Sequence, residues 1–276
     1  MKLDHISDHV YGNLSGETGG NVGIIELDDY VIAVDAQYPV SGRDFRSSIA
    51  SVTVKPVTHL CLTHYHGDHI FGTQAFEDCE IVAHRQLKAT MEENLRNVWA
   101  PERREQFFAD IKANRPENLW LYEGLRIVLP TRVFDDRYEL DGVEIIHMGG
   151  HSADSSIVYF RDDRVLFAGD LIFAQMFPWA GDPSADPDQW IDAFNHLLNM
   201  KFDTIIPGHG PLCDKTEIRI QRDWFKAVRD HMKTLIAQGI TIEDAVQDPG
   251  YPIFYASERP ERRTDSLRHW YRFWSQ

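Results

Sequence analysis

Residues 63–69 of this 276-residue chain read Thr-His-Tyr-His-Gly-Asp-His and contain the residue types that bind transition metals. They begin at the end of an apolar segment, residues 58–64, whose pattern is typical of a short buried strand. Imidazole and carboxylate groups are good ligands for zinc and neighbouring metals. Four candidate ligands in six residues are more than one tetrahedral ion usually takes from one loop, which suggests two ions sharing a site. These candidates are His64, His66, Asp68 and His69.

Three further side chains of the same chemistry follow other predicted strands, and they are His151, Asp170 and His209. Each has a glycine beside it, and a small residue there lets the backbone bend and present a side chain to a shared site. Each residue alone would be weak evidence for a metal ligand, because a lone histidine after a strand is commonly a turn or core residue. Together with residues 63–69, and in this order along the chain, the three become strong candidates.

In this order the segments THYHGDH (63–69), GGHS (149–152), FAGD (167–170) and PGHG (207–210) resemble the metallo-β-lactamase fold superfamily. The resemblance extends over nearly the whole chain, because the surrounding strand pattern also matches. The motif set is similar to that of the dinuclear hydrolase branch, which includes glyoxalase II-like and lactonase-like proteins. Antibiotic-hydrolysing β-lactamases typically carry Cys or Ser where Asp170 stands, which disfavours antibiotic hydrolysis as the main role.

The resemblance implies an α/β protein, an αββα four-layer sandwich of two mixed sheets flanked by helices, with the metals at one edge. It implies two zinc ions per chain, while iron and manganese also tolerate His and Asp ligands. The first ion would be bound by His64, His66 and His151, the second by Asp68, His69 and His209, and Asp170 would bridge both.

The function implied is hydrolysis of an ester, thioester, lactone or lactam carbonyl by a hydroxide that bridges the two metals. Asp68 is the predicted catalytic residue, because it can orient the hydroxide and pass a proton to the leaving group. A phosphodiesterase or nuclease using the same dinuclear site is the alternative. A non-enzymatic zinc protein is a third hypothesis, although structural zinc sites are normally closed and tetrahedral. The sequence contains no G-x-S-x-G nucleophile motif.

Composition restricts the partners. The formal net charge of −15 disfavours a nucleic-acid partner, since phosphate backbones are bound by Lys and Arg patches, and favours a small-molecule substrate. The three cysteines do not form a disulfide framework, and neither a signal-peptide core nor an apolar run of about 18 residues occurs. We therefore expect a cytoplasmic protein that does not span a membrane. The sequence makes no prediction of the oligomeric state.

The elements that must position these residues form two similar halves. Strands are predicted at 9–14, 21–27, 30–36, 58–64 and 80–85, and then at 143–149, 155–160, 164–168 and 203–210. Helices are predicted at 41–54, 187–200, 214–237 and 258–275. We expect one domain over residues 1–276. Residues 86–120 have a helical pattern and form either an insertion or lid over the site or an ordinary helical layer.

Aromatic residues near the motifs are candidates for the wall of a substrate site. Tyr65 lies within the metal motif, and Phe177 and Trp179 lie in the segment 174–184, which follows Asp170 and should lie over the metals. Plain loop packing is the alternative for this segment. The C-terminal arginines are interpreted as a solvated helix face in preference to an anionic-substrate site, and they are Arg259, Arg262, Arg263, Arg268 and Arg272.

Overall fold

The computed structural model describes residues 1–114, 116–255 and 260–276, and within them twelve strands form two mixed sheets. The first sheet contains β1 (Asp4–His5), β2 (Val10–Asn13), β3 (Val22–Glu26), β4 (Val31–Val34), β5 (Val57–Cys61), β6 (Glu80–His84) and β7 (Arg132–Phe134), in that spatial order. The strands β1 to β4 are antiparallel neighbours, and β4 to β7 are parallel.

The second sheet has the spatial order β12-β11-β10-β9-β8. Its strands are β8 (Arg137–Leu140), β9 (Val143–His147), β10 (Ser156–Phe160), β11 (Val165–Phe173) and β12 (Thr204–His209). Neighbours from β8 to β11 are antiparallel, while β11 and β12 are parallel. The carboxyl ends of β11 and β12 therefore point to the same edge of the sandwich.

Alternation along the strands divides the apolar side chains between two faces of each sheet. In β3, Ile25 joins a core between the two sheets, while Ile24 joins a core on the outer face of the first sheet. In β5, Cys61 faces the inter-sheet core as a small buried residue and Leu60 faces outward. Phe167 of β11 belongs to the same inter-sheet core, so the two sheets pack face to face.

Helices cover both outer faces, which confirms the predicted αββα sandwich. They are α1 (Pro39–Ile49), α2 (Gly67–Ile70), α3 (Arg85–Arg96), α4 (Arg104–Asn114), α5 (Pro187–Asn199), α6 (Lys215–Ala237), α7 (Ile242–Ala245) and α8 (Pro260–Trp274). Phe45 of α1 and Leu87 of α3 pack on the first sheet. Trp190 of α5, Phe225 of α6 and Trp270 of α8 pack on the second. No helix within the described ranges is long and apolar enough to cross a bilayer.

Several element boundaries differ from the sequence predictions. The segment 86–114 is α3 and α4 separated by a 3-10 helix at Pro101–Arg103, and a second 3-10 helix follows at Pro116–Tyr122. β11 continues to Phe173 instead of ending at residue 168, because Gly169, with φ of +51°, bends the strand without ending it. β1, β7 and β8 were not predicted. In the predicted helix 258–275, residues 258 and 259 lie outside the described residues.

Candidate metal centre

The seven predicted ligands come from five segments that end at one edge of the sandwich. His64 and His66 follow β5, and Asp68 and His69 lie in α2 directly after them. The second sheet contributes the other three, His151 between β9 and β10, Asp170 within β11 and His209 at the end of β12. Both halves of the sandwich therefore provide ligands.

The first cluster consists of His64, His66, His151 and Asp170, and one candidate ligand atom of each lies within 4.8 Å of the others. Nε2 of His151 lies 3.0 Å from Nδ1 of His66. The carboxylate oxygen Oδ2 of Asp170 lies 3.6 Å from Nε2 of His64 and 3.5 Å from Nε2 of His151. These three histidines and one carboxylate form the donor set that suits a transition metal.

The second cluster consists of Asp68, His69 and His209, whose ligand atoms also lie within 4.8 Å of one another. Nε2 of His209 lies 3.3 Å from Oδ2 of Asp68. The other oxygen of Asp170, Oδ1, lies 3.1 Å from Nε2 of His69 and 3.5 Å from Nε2 of His209. Asp170 therefore presents one oxygen to each cluster, which is the arrangement that a bridging ligand requires.

Polar atoms at the centre fit bound cations. Nε2 of His64, Nε2 of His69 and Oδ1 of Asp170 are buried and make no hydrogen bond in the described part of the chain, although the last two atoms lie 3.1 Å apart. A buried polar atom without a partner costs about 1–3 kcal/mol, so such atoms are rare unless a ligand satisfies them. Three of them converge here on groups that coordinate metals, and the residues therefore fit bound metal.

Electrostatics favour the protonation states that bind metal at the first cluster. Burial lowers the pKa of His151 to about 3 and also holds the pKa of His64 well below its ordinary value. Burial opposes ionisation of Asp170, but the charges of His209 and His69 outweigh it and hold its pKa well below the usual range. Two neutral imidazoles and an ionised carboxylate are therefore ready for coordination, since metal ligands must be deprotonated.

A layer of groups behind the ligands fixes their orientation. Nε2 of His66 lies 2.8 Å from Oδ2 of Asp182, and the same carboxylate accepts a hydrogen bond from Oη of Tyr65 at 2.5 Å. Nδ1 of His69 lies 2.9 Å from Oδ2 of Asp35, which also accepts a hydrogen bond from Oγ1 of Thr63. Such carboxylate–histidine pairs select the tautomer and ring orientation of a metal ligand.

Asp35 and Asp182 were not recognised in the sequence. Asp35 follows the apolar run of β4, and its position at a strand end beside the edge that carries the motif was the one available signal. Asp182 stands in a Gly-Asp-Pro turn and has no distinguishing pattern. The loop that carries Asp182 also positions His151, whose Nδ1 lies 3.1 Å from the carbonyl oxygen of Trp179.

The three predicted wall residues occupy different places. Trp179 lines the pocket at the centre, with its ring edge-on to that of His66 at 5.2 Å between centroids. Tyr65 is half-buried and its hydroxyl is bound to Asp182. Phe177 is only 7% exposed and packs against Trp224, with ring centroids 5.3 Å apart, so the structure places it in the core and not in the wall.

A pocket of about 660 Å³ opens in front of the two clusters, and Asp68, Asp170 and His209 lie in its lining. Residues 86–120 contribute Phe107 and Asn118 to this lining, so the helical segment reaches the site. From the C-terminal arginines Arg262 lines the pocket, while Arg259 lies outside the described residues.

The family sequence model of the metallo-beta-lactamase superfamily matches residues 15–209 of this chain. The chain therefore belongs to the metallo-beta-lactamase superfamily, as its motifs and its fold indicate.

The individual relatives share only a low fraction of identical residues with this chain. The chain is 22% identical to a linear primary-alkylsulfatase of Pseudomonas sp. (strain ATCC 19151), over 87% of this chain and 52% of that protein. It is 25% identical to the acyl-coenzyme A thioesterase MBLAC2 of Gallus gallus, over 68% of this chain and 65% of that protein. The solved structure of the inverting sec-alkylsulfatase Pisa1 from Pseudomonas sp. matches at 16% identity with a TM-score of 0.74, over 98% of this chain and 50% of that one. The chain thus spans about half the length of these alkylsulfatases.

Proposed function

We propose that this chain is a dinuclear metal-dependent hydrolase that cleaves an ester, thioester, lactone or lactam carbonyl. The observation that carries the proposal is Asp170, whose Oδ2 faces His64 and His151 and whose Oδ1 faces His69 and His209. A carboxylate shared in this way supports two ions at one centre.

Residue types guide the assignment of the ions. His64, His66 and His151 would hold the first, Asp68, His69 and His209 the second, and Asp170 both. Zinc suits these ligands, and iron and manganese are alternatives. When bound, two such ions polarise a substrate oxygen and lower the pKa of water.

Asp68 has the position and charge for proton transfer. It lines the pocket, so it can hydrogen-bond a nucleophilic water molecule beside the substrate. Burial opposes its ionisation, but the hydrogen bond from His209 and the charges of His69 and His209 together outweigh burial and hold the pKa of its carboxyl below the ordinary value. An ionised carboxylate at this place accepts the proton of the attacking water and delivers it to the leaving group. Trp179 lines the same pocket beside His66 and provides an apolar surface for the substrate.

Sulfate-ester hydrolysis is the second candidate. It is favoured by the names of two relatives, the linear primary-alkylsulfatase and the sec-alkylsulfatase Pisa1, although both proteins are about twice as long as the matched part. Phosphodiester cleavage on the same centre has less support. Three carboxylates lie in the pocket lining beside the ligands, and a polyanionic backbone would be repelled there.

A hydrolysis panel with the zinc-loaded chain tests the proposal. The panel contains thioesters, acyl-homoserine and simple lactones, β-lactams, alkyl sulfates and phosphodiesters. We expect turnover of carbonyl substrates that is lost on chelation and in Asp170→Asn, and retained in the matched control Asp192→Asn, which changes an exposed carboxylate on α5. Turnover confined to alkyl sulfates or phosphodiesters would refute carbonyl hydrolysis and assign that other reaction to the site.

A further inference from the structure

An aromatic surface lies beside the metal centre and is not needed to hold any metal. It consists of Phe71 directly after α2, Phe107 on α4 and Tyr122 at the end of the 3-10 helix Pro116–Tyr122. The ring centroid of Phe71 lies 6.4 Å from that of Phe107 and 5.9 Å from that of Tyr122, and the last two are 6.0 Å apart. Rings at these separations pack into one apolar surface. We name Phe71, Phe107 and Tyr122 the aromatic floor.

The aromatic floor adjoins the metal motif directly. The ring of Phe71 packs against the backbone of Gly67, between the ligands His66 and Asp68, so closely that a Cβ at Gly67 would lie 2.7 Å from Cδ2 of Phe71. The glycine thus leaves room for an aromatic ring beneath two ligands. The aromatic floor and the ligands His66 and Asp68 line the same pocket, so a group attached to a carbonyl at the centre can reach the three rings.

Burial differs among the three rings in a way that suits a binding surface. Phe71 is 5% exposed and Tyr122 is 9% exposed, so both are held in place by packing. Phe107 is partly exposed and stands on α4, a helix without any buried side chain. All three line the pocket, and Phe107 is the ring with the most surface left for a ligand.

Charge in the rest of the lining disfavours an anionic substrate. Apart from the metal ligands, the lining contains the carboxylates of Glu17, Glu261 and Asp265 and the guanidinium of Arg262. Although Arg268 lies 3.9 Å from Asp265 and bound metal ions would attract an anion at the centre itself, these side chains leave the outer lining negative, which disfavours an anionic group on the part of the substrate that lies away from the ions. An uncharged substrate avoids this cost.

On the basis of the proposed hydrolysis, we propose that the aromatic floor is the subsite for the apolar arm of an uncharged acyl substrate, either an aryl group or a medium-length alkyl chain. The carbonyl lies at the metal centre and the arm lies on Phe107 and its two neighbouring rings. The volume of about 660 Å³ is within the usual range for small-molecule pockets.

Two series of compounds test the subsite with the zinc-loaded chain. In the first, uncharged aryl esters with acyl chains from acetyl to decanoyl are hydrolysed. We expect kcat/KM to rise about fourfold for each added methylene until the subsite is full. In the second, alkyl hydroxamates of the same lengths are titrated by calorimetry, and their affinity should rise in parallel although nothing is hydrolysed.

Neighbouring phenylalanines provide matched variants. Phe107→Ala should lower kcat/KM for the longest ester by about tenfold, mainly through KM, with little change for the acetyl ester. Phe108→Ala changes the adjacent residue of the same helix, which is outside the pocket lining although its ring lies 5.4 Å from that of Phe107, and should have a much smaller effect on both values. Phe107→Trp fills the pocket instead of emptying it and should exclude the longest chain selectively, which separates loss of the subsite from loss of the fold.

Charge is tested with an uncharged hexanoyl ester and its sulfonated counterpart. The uncharged ester should be preferred at low salt, and the preference should shrink in the double variant Glu261→Gln, Asp265→Asn.

Failure of the two proposals would be distinguishable. If no ester is hydrolysed but hydroxamate affinity still rises with chain length and falls in Phe107→Ala, the reaction is wrong and the subsite stands. If esters are hydrolysed without dependence on chain length, or if Phe107→Ala and Phe108→Ala have equal effects, the subsite is refuted while the hydrolase remains. A preference for the sulfonated ester would refute the uncharged substrate class.

Discussion

The carboxylate of Asp182 accepts a hydrogen bond from Nε2 of His66 at a distance of 2.8 Å. Burial opposes ionisation of Asp182, but the hydrogen bonds from His66, Ser184 and Tyr65 and the charge interaction with His66 together outweigh burial and hold the pKa of the carboxyl below its ordinary value. Because an ionised carboxylate can only accept, the proton of His66 resides on Nε2 and the lone pair of Nδ1 faces His151. Asp182 thus sets the tautomer that a metal ion at the first cluster requires.

We predict that Asp182→Ala selectively lowers the affinity of the first cluster for its metal ion. Loss of an orienting carboxylate typically lowers metal affinity about 10- to 100-fold. Titration against a competing chelator should therefore show one weakened site and one unchanged site. Asp192→Asn, on the exposed face of α5, is the control. Equal weakening of both sites would contradict this role.

The corresponding prediction for the second cluster concerns Asp35, whose Oδ2 lies 2.9 Å from Nδ1 of His69. Asp35→Asn keeps a residue that tolerates the local φ of +56°, but it removes the negative charge from behind His69. We expect weakened binding at the second cluster and little change at the first. The chelator titration used for Asp182 measures this outcome. A pattern identical to that of the Asp182 variant would show that the two carboxylates do not act on separate ions.

We predict about two transition-metal ions per chain in a metal-replete preparation, measured by elemental analysis. Because ions bound to the folded chain would satisfy the buried atoms of His64, His69 and Asp170, their removal should also lower the melting temperature. Restoration of both activity and melting temperature on addition of zinc completes the test. A stoichiometry near zero would be incompatible with the proposed function.

Asp68→Ala should abolish turnover with only partial loss of metal. Proton transfer by a positioned carboxylate typically contributes about 10²- to 10⁴-fold, and His69 and His209 remain to hold the second ion. Steady-state kinetics and metal analysis of the same sample separate the two effects. Full activity in this variant would exclude Asp68 as the proton carrier.

A prediction away from the metals concerns His84, whose ring stacks on that of His147 with centroids 3.9 Å apart. Burial, followed by the neighbouring His147, lowers the pKa of His84 to about 4. Since the unfolded chain binds this proton near pH 6.5, the free energy of unfolding should fall as the pH falls from 6.5 towards 4. His84→Asn keeps a helix-capping side chain and should weaken this dependence in urea unfolding, whereas His196→Asn on the exposed face of α5 should not.

The metal ligands could be predicted from sequence because their spacing is local or because their motifs occur in a recognisable order. The role of Asp182 could not be predicted from sequence, because Asp182 lies 117 positions from Tyr65 and 116 from His66. No local pattern indicates either contact. Phe177 and Trp179 could not be told apart. They share a loop without regular periodicity, and Gln175, with φ of +58°, redirects the chain just before them.

The fold was predictable where burial imposes a pattern. Strands such as β4 and β10 are buried throughout and therefore read as continuous apolar runs. The edge strands β7 and β8 begin with Arg132 and Arg137 and are partly exposed, so their composition does not distinguish them from loops. The division of the 86–120 segment into short helices likewise depends on packing against the first sheet, which no local signal records.

Each ligand cluster draws on both sheets, since His64 and His66 come from the first half and His151 and Asp170 from the second. A bound ion would therefore crosslink the two halves of the sandwich. A chain whose second half has not yet packed offers only the ligands of residues 64–69 and would release its metal quickly. Metal uptake would then be a late step that reports completed folding, and hydrogen exchange should accelerate in both sheets together when the metal is withdrawn.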